Sequence, residues 1–219
     1  MRDTLERKTL EAVRRLGVAR PRDLARLGLP REYVQRLADR GALVRVARGL
    51  YAHPDAPMSA QRSLAEVAMV VPKSTVCLLS ALKFHRLTTQ APPEVWIALG
   101  VHAWKPRSTP FPVRTVYFSG AALSEGVETH KIDGVPVRIY SPAKTVADCF
   151  KYRNKIGAEI AVEALKDYLK QHPRGADALW RFAKVCRVSN VMRPYLEAAG
   201  EVIPGNCGVS RHEVSLARV

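Results

Sequence analysis

The chain has 219 residues, enough for one large domain or two modest ones with real cores. Apolar residues at 47% and charged residues at 25% are ordinary for a soluble globular protein. The net charge of +15, with a pI near 10.1, is not ordinary. It favours a polyanionic partner, nucleic acid or an acidic membrane surface, and says nothing about fold.

In chain order, the spacing of Leu5, Leu10, Val13 and Leu16 predicts a helix over residues 2–16, stopped by Gly17. Its charged, amphipathic start, MRDTLERKTLEAVRR, is unlike a signal peptide. A short helix follows over Pro21 to Leu27, with proline suited to its first position and Gly28 at its end. A third helix runs from Pro30 to Arg40, with Tyr33, Val34, Leu37 and Ala38 on its apolar side and Gly41 beyond it. RGALVRVARGLYAHP then reads as a hairpin, Ala42–Val46 and Leu50–Ala52, joined through Ala47, Arg48 and Gly49. Helix, short helix, helix and hairpin in this order predict a winged helix-turn-helix.

The proline-rich HPDAPMS, residues 53–59, marks a domain boundary. Helices are expected over 59–71 and 74–87, with Ser59 and Ser74 as N-caps. Strands are expected at Glu94–Leu99, Val113–Phe118, Val127–Ile132 and Val137–Tyr140, with a tight turn at Asp133-Gly134. Helical patterns follow over 142–153, 157–171, 176–186 and 189–199. The expected organisation is α+β, with a winged helix-turn-helix over 1–56 and a mixed α/β domain with a small sheet and helical C-terminal part over 57–200. Residues 201–219 form a tail of weak periodicity. The apolar stretch SLAEVAMVVPKSTVCLLSAL is interrupted by Glu66 and by Pro72-Lys73, so no membrane span is expected and the reading is a cytoplasmic protein.

Residues 1–50 hold thirteen Lys/Arg against six Asp/Glu. The N-terminal part of a recognition helix meets base edges. Arginine can bridge guanine O6 and N7, and glutamine adenine N6 and N7. Arg31, Gln35 and Arg36 are therefore the candidate base readers. Arg20 and Arg22 at the second helix, with Arg45 and Arg48 on the hairpin, suit phosphates. Residues 141–195 carry eleven Lys/Arg against five Asp/Glu. Lys144, Lys151, Arg153, Lys155, Lys166 and Lys170 are candidates there for a second nucleic-acid surface or a toxin-opposing one.

Catalytic signals are weak. Asp148 lies near Lys144, Lys151 and Arg153, but no second carboxylate stands at a metal-ligand spacing, and local salt bridging is the better reading. Cys77, Cys149, Cys186 and Cys207 are scattered, with no C-x-x-C pair, which predicts buried thiols rather than zinc ligands. No nucleophile-elbow, Walker or H-E-x-x-H pattern occurs, and no cofactor or metal is expected.

Three motifs carry a resemblance. Leu37, Gly41, Leu43, Arg45, Arg48, Gly49, Leu50 and Tyr51 follow the pattern that ends the winged helix-turn-helix of the AbiEi family of antitoxins. Ser80-Ala81-Leu82 before His85, and Ser141, Pro142, Thr145 and Asp148 in SPAKTVADCF, resemble two later elements of that family in the same order. The resemblance covers about residues 5 to 170. It implies an N-terminal domain that represses its own operon through inverted-repeat, double-stranded operator DNA. It also implies a C-terminal domain that counters a nucleotidyltransferase toxin, in a type IV arrangement that need not involve direct binding. Two rivals remain at this point: a stand-alone winged-helix regulator with a ligand-sensing second domain, and a metal-dependent DNA-processing enzyme.

Overall fold

The helix α1, Arg2–Leu16, buries Val13 and packs Leu5, Leu10 and Leu16 against the first apolar cluster, as the spacing predicts. The computed structural model of the protein describes residues 2–47, 49–55, 61–104, 106, 109 and 111–199. Past Gly17 come β1 (Val18–Ala19), α2 (Pro21–Ala25), α3 (Arg31–Asp39), β2 (Val44–Ala47) and β3 (Leu50–Ala52). Pro21 opens α2, where its missing N–H costs nothing. Val34 and Leu37 of α3, Leu24 of α2, Leu43 and Tyr51 close a core around Val13. The hairpin gains a third strand, in the order β1-β3-β2 and antiparallel throughout. At two residues β1 is too short to show the alternation that identifies a strand in sequence.

The second unit begins with α4 (Arg62–Val70), followed by β4 (Thr75–Val76), α5 (Leu78–Phe84), β5 (Val95–Gly100) and β6 (Val113–Phe118). After α6 (Ala121–Ser124) come β7 (Val127–Ile132) and β8 (Val135–Tyr140). Then follow α7 (Pro142–Lys151), α8 (Arg153–Ile156), α9 (Ala158–Gln171), α10 (Ala176–Val185) and α11 (Ser189–Ala198). The sheet order is β6-β5-β4-β8-β7, with β5/β6 and β4/β8 parallel and the remaining pairs antiparallel.

One expected element is corrected. Residues 74–87 are not a single helix: Thr75 and Val76 form the middle strand of the sheet, and α5 starts only after Cys77. Ser74 does not cap that helix, because its hydroxyl donates to the Val71 carbonyl at 2.7 Å. Buried on both sides and two residues long, β4 shows no periodicity, and the helical pattern of the following CLLSAL absorbs it. Ser59, the other expected cap, lies outside the described residues, as does the tail from Gly200. The helix expected over 142–153 ends at Lys151, and a separate short helix takes up Arg153–Ile156.

The Asp133-Gly134 turn forms as expected. Both residues take positive φ, +47° and +80°, and Ile132 pairs with Val135 across them. This turn also meets the first unit. A Cβ on Gly17 would collide with the Asp133 carbonyl, and one on Gly134 with the Leu16 carbonyl. Two glycines thus let the end of α1 and the tip of β7–β8 touch backbone to backbone. Beside this contact, Val18 and Leu50 of the small sheet join Leu64, Val67 and Met69 of α4 and Ile97, Val137 and Ile139 of the large sheet in one apolar cluster. A third cluster fills the space between the sheet and α5, α7, α9, α10 and α11.

Candidate nucleic-acid interface

Val34 and Leu37 point α3 into the core, which turns Arg31, Glu32, Gln35, Arg36 and Asp39 outward. Arg31 and Gln35 are four apart and lie on one face. The Gln35 side chain is held at both ends. Its Nε2 donates to Asp39 Oδ1 at 2.9 Å, and its Oε1 accepts from the Tyr51 hydroxyl at 2.9 Å. A primary amide has two N–H groups and two acceptor lone pairs, so one of each remains for a base edge. Arg36 lies over the Tyr33 ring, 5.7 Å from its centroid.

Tyr51 links this helix to the wing. It is buried on β3, and its cross-strand partner on β2 is Arg45, which is exposed. Directly opposed residues of an antiparallel pair share a face, so Arg45 stands on the side of the sheet that carries Gln35. Tyr51 appears in the sequence only as the last position of the hairpin motif, and nothing in the sequence announces its hold on Gln35. Arg48 lies outside the described residues.

Arg20, Arg22 and Arg31 meet around one hollow of about 450 Å³, closed on its other side by Gly49 and Leu50 of the wing and by Met69, Val70 and Pro72 of the second unit. The structure therefore brings together three of the arginines expected at a nucleic acid, with Arg20 and Arg22 beside Arg31. Arg20 donates its backbone N–H to Asp23 Oδ2 at 3.2 Å, which fixes the start of α2.

The basic residues expected in the second unit do not form one surface. Lys144 is fully buried, not exposed. Its ammonium donates to both oxygens of Asp148, at 2.7 and 2.6 Å, and sits over the rings of Tyr140 and Phe118 at 4.2 and 4.9 Å. This i,i+4 pair, the local salt bridge expected of Asp148, lies on the inner face of α7, between the sheet and α10. Burial pushes the Asp148 carboxyl above the usual range, and the Lys144 ammonium opposes that shift. The Cys186 thiol donates to Asp148 at 3.2 Å, and burial raises that thiol to about 12.

Lys151 and Lys155 are exposed beside the rings of Phe118 and Tyr152, while half-buried Arg153 donates to the Phe150 carbonyl at 2.9 Å. Lys166 and Lys170 do share a face of α9, but Glu159, Glu163 and Asp167 line the same shallow hollow, and Lys170 pairs with Asp167 at 3.1 Å.

The later motifs are structural in this fold. The Ser80 hydroxyl accepts the Trp96 backbone N–H at 2.9 Å, tying α5 to β5. His85 Nε2 donates to the Tyr140 carbonyl at 2.8 Å, and burial lowers the ring's pKa, which favours the neutral form. Thr145 donates to the same carbonyl at 3.1 Å. Cys77, Cys149 and Cys186 are buried free thiols, and Cys207 lies outside the described residues. Among the described residues no group of three or more His, Cys, Asp or Glu is placed to hold a metal, and no helix is long and apolar enough to cross a membrane.

Compared with curated proteins, the chain matches none. Residues 7–54 match a family model described as transcriptional regulator, AbiEi antitoxin. That segment starts inside α1 and ends just past β3, so it coincides with the winged helix-turn-helix. Over residues 7–54, then, the chain is similar to the AbiEi antitoxin family of transcriptional regulators.

Proposed function

We propose that the protein is an antitoxin and autorepressor that binds inverted-repeat operator DNA through residues 1–56 and counters a nucleotidyltransferase toxin through residues 57–200. The observation that carries the DNA half is the outward face of α3. Arg31, Gln35 and Arg36 stand free of the core there, and Tyr51 and Asp39 fix the Gln35 amide in place. Arg31, Gln35 and Arg36 read bases in the major groove. Arg20, Arg22, Arg45 and Arg48 contact phosphates on either side.

The antitoxin half rests on the family match over residues 7–54 and on the two later motifs that resemble the same family. Of the six basic residues expected to matter in the second unit, Lys151 and Lys155 are exposed beside aromatic rings, and they are the better candidates for a working surface. Two assays test the reading: a gel shift on the DNA upstream of the gene, and co-expression with the adjacent gene. Specific retardation and rescue of growth are expected. No retardation above that of random DNA, or no adjacent toxin to rescue from, would contradict it.

A further inference from the structure

Between the two units lies a cleft of about 730 Å³. Arg15 at the end of α1, Arg20, Arg22 and Arg26 on or beside α2, and Arg138 on β8 all line it. None of the five forms an ion pair with a described residue. Asp23 is the one carboxylate in the lining, and its Oδ2 is taken by the Arg20 N–H. The floor is different in kind. Leu16, Leu27, Met69 and Val135 contribute an apolar surface.

Five guanidiniums with no ion-pair partner among the described residues, gathered in one concavity, repel one another, and that repulsion costs stability unless an anion offsets it. Guanidinium groups bind phosphate oxygens in pairs of parallel hydrogen bonds and stack on planar rings. The apolar floor has no use for a bare phosphate but suits the flat body of a ring. Ligand pockets run from roughly 300 to 1,000 Å³, with mostly apolar walls and a few convergent polar groups. The cleft is also set in advance, because the Gly17 and Gly134 backbone contact fixes one wall against the other. A duplex presents its phosphates on a convex outer surface and would leave such a floor empty.

We infer that this cleft is a binding site for a nucleoside di- or triphosphate, with its phosphates on Arg15, Arg138 and the α2 arginines and its base on the Leu16–Met69–Val135 floor. The assignment shares Arg20 and Arg22 with the DNA reading but differs from it in using walls from both units and Arg15, Arg26 and Arg138, which were not expected at the operator.

The test is calorimetry and thermal melting of the full chain with ATP, GTP, CTP, inorganic pyrophosphate and adenosine. A nucleoside triphosphate should bind more tightly than pyrophosphate or adenosine and raise the melting temperature. Loss of a charge-assisted contact in Arg15→Ala, Arg26→Ala or Arg138→Ala should weaken it about tenfold. Arg193→Ala, on α11, should leave it unchanged. Arg15 and Arg26 are exposed, so they remain informative if the half-buried Arg138 proves necessary for folding. Three results would overturn the assignment: no binding at millimolar nucleotide, binding indifferent to all three variants, or pyrophosphate binding as tightly as any nucleotide. A smaller salt slope for random DNA in Arg138→Ala, with no nucleotide bound, would give the cleft to the duplex backbone instead.

Discussion

At the scale of single residues, the same side-chain type has opposite fates at two points along one helix. Lys144 and Lys151 are seven apart on α7, yet one is fully buried on Asp148 and the other is exposed. Their types and spacing do not distinguish them, because what decides is the packing of α10 and the sheet against α7, which is invisible locally. Lys144→Met should strand a buried carboxylate and cost about 3–5 kcal/mol, as breaking one partner of a buried pair does. Adding Asp148→Leu should recover most of that loss. Urea unfolding of the two variants measures it, and a double variant no more stable than the single one would show that the pair does more than satisfy itself. Tyr51 teaches a related lesson. Its place in the hairpin motif is plain in the sequence, but its hydroxyl contact sixteen residues back to Gln35 is a product of folding.

At the scale of elements, what was legible followed from period and punctuation. The three N-terminal helices, the wing, the Asp133-Gly134 turn and four strands of the larger sheet are all signalled by glycine, proline and alternation of adequate length. The two missed strands, β1 and β4, are each two residues long, and no pattern of period two can be read from two residues. The wing supports a prediction of its own. Arg45 is exposed on the same face as Tyr51, a placement suited to a phosphate beside the groove. Arg45→Ala should weaken operator and random DNA alike and reduce the slope of log K against log salt by about 0.9, the value for one lost phosphate contact. The same holds for Arg48→Ala. Titrations at several salt concentrations check this, and an unchanged slope would remove that arginine from the phosphate set.

At the scale of the whole molecule, the chain has two units and a shared seam. The first unit has its own cluster around Val13, Leu24, Val34 and Leu37, and the second has one around α7. Val18 and Leu50 nevertheless belong to the cluster built by α4 and the large sheet, and α1 meets the β7–β8 turn through Gly17 and Gly134. The proline-rich stretch 53–59 is a boundary expected from the sequence alone. It does not show that the surfaces on either side touch. Residues 1–56 and 57–219 made separately should therefore fold, but each should melt below the whole chain, because the seam leaves apolar surface uncovered. Circular dichroism melts decide this. Fragments as stable as the whole chain would mean the seam contributes little, and two insoluble fragments would mean the units have no independent core.

The central claim is that α3 reads operator sequence, and the most direct measurement compares two DNAs with one substitution. Binding of the full chain and of the Gln35→Ala and Arg36→Ala variants is titrated on the upstream operator and on random duplex at the same salt. The account predicts a loss of about 1–3 kcal/mol on the operator for each variant, the worth of a good bidentate base contact, with little change on random DNA. An equal loss on both DNAs would contradict it and make these side chains backbone contacts rather than readers.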